Sequence, residues 1–261
     1  MDSTEVERIM AFEHRFAKAQ ATEVIDLSWG FAILQADFPL SHYHNRIVVT
    51  SAVSTGDVLA AADEVLGTAS LRHRYVCVDD DALGIALAAD FAAAGYEQAT
   101  IVSMIHSGPE PEPPAHEVQE MSLDALRPAI VRDWRVDMPN ARDEVLDQLA
   151  GRTALYSRGA EVTLLAVLDG KKVAARADLY IDRAEGIAQF ESLFTHPDFR
   201  GRGYGNSLVR EALRRGKQAG CELSFLTADL DDWPHQWYLR HGYVEACRSH
   251  HFHRSRSSTP E

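Results

Sequence analysis

Apolar residues along the chain recur first at helical and then at strand spacing. Val6, Ile9, Met10, Phe12, Phe16 and Ala17 lie three and four apart, so residues 1–25 are expected to open the chain as a helix with one apolar face. Asn45-Arg-Ile-Val-Val-Thr50 reads as a strand, and Thr55-Gly-Asp-Val-Leu-Ala-Ala-Ala-Asp-Glu-Val-Leu66 as a helix stopped by Gly67. A strand at Arg74-Tyr-Val-Cys-Val-Asp79, an Ala-rich helix over 82–94 closed by Gly95, and a strand at Ala99-Thr-Ile-Val-Ser-Met-Ile105 follow. Alternating helices and strands put this half in the α/β or α+β class.

Pro109, Pro111, Pro113 and Pro114 then fall within six residues, which neither a helix nor a strand can accommodate. The stretch 107–116 is therefore expected to be an extended, semi-rigid linker between two domains. Beyond it the pattern restarts with a short strand, His116-Glu-Val-Gln-Glu-Met121. Ser122 can cap a helix that runs to Val136, and a second helix is expected over 141–150. The stretch 163–181 alternates as a hairpin about Asp169-Gly170. A strand over 188–195, a helix over 207–216, a strand at Leu223-Ser-Phe-Leu-Thr227, a short helix around Tyr238 and a strand over 243–253 complete it. The polar stretch 254–261 is expected to be a disordered tail.

Composition changes this picture little. The chain has 261 residues, 46% hydrophobic and 25% charged, which suits two globular domains, each with its own core. A net charge of −13 argues against nucleic acid or an anionic membrane as partner, and it is compatible with a cationic acceptor such as an amine. Cys77, Cys221 and Cys247 are few and far apart, as in a reduced compartment. Glu5, Glu7 and Glu13 interrupt the N-terminal apolar pattern, and no apolar run spans a membrane, so a cytoplasmic location is expected. His241, His250, His251 and His253 lack Cys or carboxylate partners at ligand spacing, and no metal site is expected.

The chemistry concentrates in Glu191-Ser-Leu-Phe-Thr-His-Pro-Asp-Phe-Arg-Gly-Arg-Gly-Tyr-Gly-Asn206, which reads as a strand, a turn and a Gly-rich loop opening a helix. Glycines there let the backbone approach a ligand, and the free N–H groups of the first turn favour an anion such as a pyrophosphate. Arg200 and Arg202 add positive charge. No Gly-Lys-Ser/Thr occurs, and Arg200-x-x-Gly203-x-Gly205 is not the dinucleotide fingerprint.

This spacing resembles the acyl-CoA-binding motif of the GNAT acetyltransferase superfamily, and Trp237-Tyr-Leu-Arg-His-Gly-Tyr243 resembles that family's second signature. The resemblance covers essentially all of residues 116–253. It implies that Arg200, Gly201, Arg202, Gly203, Tyr204 and Gly205 wrap the pyrophosphate of acetyl-CoA, with Asn206 at the helix start. It further implies that the strand bearing Leu193, Phe194 and Thr195 splays from its neighbour and pairs with the pantetheine arm. Tyr238 matches the family's phenolic acid for the leaving thiolate. Glu191 stands nine residues before the loop arginine, as does the general base of spermidine/spermine acetyltransferases. On strand alternation it is expected to share a face with Leu193 and Thr195, and an apolar setting is expected to raise its pKa. Asp231-Asp-Trp-Pro234 departs from the family's Asn-x-x-Ala, which removes the usual Asn contact to pantetheine. Trp233 and Trp237 are candidates for walls of the CoA or acceptor channel. Asp133, Asp137, Asp143 and Glu144 fall in the two helices that border the acceptor pocket in the family.

An internal echo joins the halves. Ala92-Ala-Ala-Gly95-Tyr96 aligns with Leu239-Arg-His-Gly242-Tyr243, which sets Phe91 where Tyr238 stands. The expectation is a tandem, mycothiol-synthase-like arrangement. It comprises a degenerate GNAT-like domain over 1–106 without a CoA loop, the linker over 107–116 and a catalytic domain over 117–253. Each domain would be an α+β unit with a mixed, mostly antiparallel sheet flanked by helices. The implied activity is acetyl transfer from acetyl-CoA to a small primary amine. A protein or peptide amine, or acyl-CoA binding without turnover, are the alternatives, and a homodimer is compatible with either.

Overall fold

The computed structural model describes residues 3–255. Helix α1 (Ser3–Gln20) is followed by strands β1 (Glu23–Leu27), β2 (Gly30–Leu34) and β3 (Arg46–Val49), then α2 (Thr55–Thr68), β4 (His73–Val78), α3 (Asp81–Ala93) and β5 (Glu97–His106). The second half holds β6 (Gln119–Glu120), α4 (Leu123–Asp137), α5 (Asp143–Gly151), β7 (Glu161–Asp169), β8 (Lys172–Asp182) and β9 (Ile187–Thr195). It ends with α6 (Tyr204–Gln218), β10 (Leu223–Asp229), α7 (Trp233–Leu239) and β11 (Tyr243–Ser255).

Three expectations need correction. The first helix stops at Gln20, and residues 23–34 form a hairpin, β1 with β2, where the helix was extended to residue 25. The strand expected over 116–121 shrinks to Gln119–Glu120, because His116 is held by the Gly-rich loop: its N–H donates to Ser207 Oγ and its ring bonds the Arg202 carbonyl. The last strand runs through Arg254 and Ser255, which were assigned to a tail; 256–261 lie outside the described residues.

Two copies of one pattern are visible. In the first half, parallel strands β3 and β4 are joined through α2, and α3 leads to β5; in the second, parallel β9 and β10 are joined through α6, and α7 leads to β11. Phe91 on α3 meets Tyr96 edge-on at 5.0 Å, as Tyr238 on α7 meets Tyr243 at 5.7 Å. Neither closing strand lies beside its own half. β11 pairs with β4, β5 pairs with β10, and β5 and β11 pair with each other. The mixed, mostly antiparallel sheets of the two halves thus fuse into one eleven-stranded sheet in the order β1-β2-β3-β4-β11-β5-β10-β9-β8-β7-β6. The linker lies along α6, where Arg210 reaches the Pro113 carbonyl and Lys217 pairs with Glu110.

Apolar cores cover both faces of this sheet. Leu208, Val209, Ala212 and Leu213 of α6 pack with Leu179, Phe190 and Leu226. Ile9, Phe12 and Phe16 of α1 pack with Tyr180 and Phe225, so the first helix of the chain sits on strands of the second half. The exchanged strand β11 packs on α3 through the stacked Phe91 and Phe252 rings and through one close approach at Gly84. A Cβ on Gly84 would stand 2.1 Å from the His250 ring, and that ring is fixed by Asp81 and Gln98. Helix propensity alone favours Gly84→Ala by up to about 1 kcal/mol. Overpacking against His250 is expected to reverse the sign and lower stability by about 1–3 kcal/mol in urea denaturation; a more stable Gly84→Ala variant would contradict the packing described.

Candidate active site

The Gly-rich loop forms as the motif requires. Gly201 and Gly203 have φ of +77° and +80°, a region open to glycine at no steric cost. Gly203 precedes α6, whose N-terminus has no side-chain cap, so its first N–H groups and helix dipole are available to an anion. The contrast with the first half is direct: the first turn of α2 is capped by Ser54, whose hydroxyl accepts from the Asp57 N–H. Arg202 is tied to Asp169 at the β7–β8 turn and stacks on Phe199, and Arg200 donates to the Thr195 carbonyl. Loop, strand end and α7 enclose a cavity of about 580 Å³. Leu193, Phe194 and Thr195 line it, as do all residues 200–206. Its far wall is Trp233, Trp237 and the buried Tyr238. Burial pushes the Tyr238 phenol well above its ordinary pKa, and the Glu191 charge adds to the shift, so the phenol stays protonated at neutral pH.

The parallel pair β9–β10 is registered only from Ile187 with Leu223 to Phe190 with Leu226. One residue further the strands part, and the Glu191 carboxylate fills the opening. Its Oε1 accepts from the Thr227 N–H at 3.0 Å, the Thr227 hydroxyl at 2.8 Å and Gln189 Nε2 at 3.0 Å. Oε2 has no partner among the described residues. Burial, with the charge of Glu13 second, raises the Glu191 pKa to about 7, although the Thr227 and Gln189 hydrogen bonds pull the other way.

Strand alternation does not carry past this point, which corrects the expected shared face. A β-bulge sets Ser192 and Leu193 opposite the single residue Ala177, and Ser192 takes a φ of +55°. Glu191 and Ser192 therefore line a second cavity, while Leu193 and Thr195 line the first. The bulge is held from below: Arg176 donates to the Ser192 carbonyl and pairs with the buried Asp133 at 2.9 Å.

The second cavity, about 340 Å³, lies where the halves meet. Glu13 and His14 come from α1, Arg46 from β3, Tyr75 and Cys77 from β4, and Glu191 and Thr227 from the parted strands. Gln189 Nε2 bridges the Glu13 and Glu191 carboxylates, and burial raises the pKa of Glu13. Burial also pushes the Cys77 thiol up to about 12, so it carries no thiolate at neutral pH.

Glu191, Tyr238 and every loop residue singled out in the sequence thus gather around two adjoining cavities. The acidic candidates of α4 and α5 do not line the second one. Asp133 is buried in its ion pair, Asp143 and Glu144 pair with Arg135 and Arg142, and Asp137 faces the loop cavity. The candidate histidines scatter: His250 binds Asp81, His253 binds His42, and His251 lines the second cavity beside His14. Among the described residues no group of three or more His, Cys, Asp or Glu side chains is placed to hold a metal ion, and no helix is long and apolar enough to cross a membrane. Glu13, Arg46 and Gln189 were missed. The signal for two of them was a polar residue inside an apolar strand, Arg46-Ile-Val-Val49 and Ala188-Gln-Phe190.

Residues 124–243 match the family model described as the acetyltransferase (GNAT) family. A curated relative from Bacillus subtilis (strain 168), named Uncharacterized N-acetyltransferase CgeE, is 33% identical over 73 residues, a match that spans 28% of this chain and 28% of that relative. A solved structure of a functionally unknown conserved protein from Staphylococcus epidermidis superposes with a TM-score of 0.67 at 15% identity, covering 91% of this chain and 95% of that one. A tandem GNAT protein from the clavulanic acid biosynthesis pathway gives 0.57 at 14% identity over 88% of this chain and 79% of its own. At such identities these structures share the fold alone. The stretch that matches the acetyltransferase (GNAT) family, residues 124–243, is the one that holds the loop, Glu191 and Tyr238.

Proposed function

We propose that the chain is an N-acetyltransferase that passes an acetyl group directly from acetyl-CoA to the primary amine of a small molecule. The observation that carries this reading is the position of Glu191, a carboxyl with a pKa of about 7 at the parting of β9 and β10, between an anion-ready loop cavity and a second cavity. The loop cavity fits acetyl-CoA: the uncapped N-terminus of α6 and Arg200 suit the pyrophosphate, and the parted strand suits the pantetheine arm. The second cavity would receive the acceptor, and its enclosure between the halves favours a small molecule over a protein chain.

In this reading Glu191 takes the ammonium proton through Oε2, the free amine attacks the thioester carbonyl, and the C–N bond forms as the C–S bond breaks. The departing thiolate takes the Tyr238 proton, which burial has kept on the phenol, and the second proton that the nitrogen sheds as the amide forms returns to the phenolate. Cys77, protonated and buried, offers no competing nucleophile, which favours direct transfer over an acyl-cysteine. The first half would be a degenerate copy: Ser54 occupies its helix terminus, and Phe91 carries no hydroxyl where Tyr238 stands in the second.

Glu191→Gln is expected to lower kcat by roughly 10²-fold or more. A base must be deprotonated to act, so kcat/KM should rise with pH through about 7 in the native protein and lose that limb in the variant; an unchanged profile would remove Glu191 from the reaction. Tyr238→Phe should slow kcat by about 10²-fold with acetyl-CoA affinity kept. A variant that loses acetyl-CoA binding instead would make Tyr238 a packing residue.

A further inference from the structure

The buried arginines of this chain differ in one respect. Arg74 and Arg176 are each paired with an aspartate, Asp63 and Asp133. Arg46 is 5% exposed, lines the second cavity and is in no ion pair among the described residues. Its terminal nitrogen donates to the Tyr43 carbonyl, its plane lies over the Tyr43 ring at 3.8 Å, and its buried Nε has no partner. Arg152, which lines the same cavity, repeats the pattern. It donates to Ser41 Oγ at 2.8 Å, it is in no ion pair, and its Nε is buried and unpartnered.

Glu13 feels the Arg46 charge, yet no acid among the described residues forms an ion pair with either guanidinium. Asp79 bonds His14 at 2.6 Å, and Glu13 is engaged by Gln189. A buried guanidinium without a counter-ion is retained at a cost in desolvation that an anionic ligand removes. The same cavity presents the opposite need beside Glu191. Gln189 turns its amide nitrogen to both carboxylates, which leaves its buried Oε1 unpartnered and able to accept from an ammonium.

We propose that the acceptor is a small zwitterion, a primary amine that also carries a carboxylate, with Arg46 and Arg152 holding the carboxylate while Gln189 and Glu191 receive the amine. The assignment of this cavity to the acceptor rests on the acetyl-transfer reading; the anion site does not. Planar guanidinium groups suit a carboxylate through paired N–H donors, and a cavity of about 340 Å³ suits an amino acid or a short dipeptide.

The test is CoA release and equilibrium binding with three sets of probes: the common amino acids with short dipeptides, their C-terminal amides, and polyamines. The free acids should exceed their amides by roughly 10²-fold in kcat/KM. Arg152→Gln and Arg46→Lys should erase most of that difference through KM, with acetyl-CoA binding intact. If Arg46→Lys does not fold, the less buried Arg152 carries the test alone. Equal use of acids and amides, or a preference for polyamines, overturns the zwitterion and leaves acetyl transfer standing. Acids that bind with an affinity dependent on Arg152 yet release no CoA support the anion site and remove the acetyl-transfer reading. Acids that neither bind nor react overturn the proposal.

Discussion

Two parallel strands stop pairing after Phe190 and Leu226, and the rest of the site follows from that separation. A buried backbone N–H must find an acceptor. At Thr227 the acceptor is not the neighbouring strand but the Glu191 carboxylate, which the opening thereby fixes in place. The Ser192 bulge turns the chain so that the residue before it faces one cavity and those after it face the next. Backbone in the left-handed region at a non-glycine residue costs about 1–3 kcal/mol. The Arg176–Asp133 pair beneath, with Arg176 on the Ser192 carbonyl, is what the surroundings supply to hold it.

The exchange of closing strands gives the first half its part in this arrangement. With β5 between β10 and β11, the strands that would wall a separate domain instead form one side of the second cavity, through Ile101 and Ser103 of β5 and Ser249 and His251 of β11. The α1 helix lies against strands of the second half and delivers Glu13 within hydrogen-bonding distance of Gln189. A half that lacks an anion-binding loop of its own thus supplies part of the pocket on the other side of Glu191 from the loop. In the first half, by contrast, the equivalent strands stay together one residue further, where the Asp79 N–H bonds the Val49 carbonyl.

Much of this was legible in the sequence, because the loop, the Asp169-Gly170 turn and the capped helix at Ser122 are governed by local chemistry. The Gly-rich stretch announces a helix start, although the helix begins at Tyr204, three residues before the expected Ser207. Strand β1 was hidden because Val24 and Ile25 continue the spacing of the helix before it, and only pairing with the apolar run Phe31-Ala-Ile-Leu34 across the turn makes it a strand. The bulge was hidden because alternation is a rule of unbroken ladders, and nothing in Glu191-Ser-Leu-Phe194 marks the break. Glu13 and Gln189 lie 176 residues apart, so their contact depends on the whole sheet being assembled. Side-chain polarity alone could flag them, not join them.

A crystal structure of the chain grown with acetyl-CoA tests the account most directly. It predicts the pyrophosphate against residues 200–206 and the thioester in the gap between β9 and β10. The acetyl group should face Glu191, with the sulfur toward Tyr238. A cofactor seated elsewhere, or a thioester that leaves Glu191 on the far side of an intact wall, would contradict it.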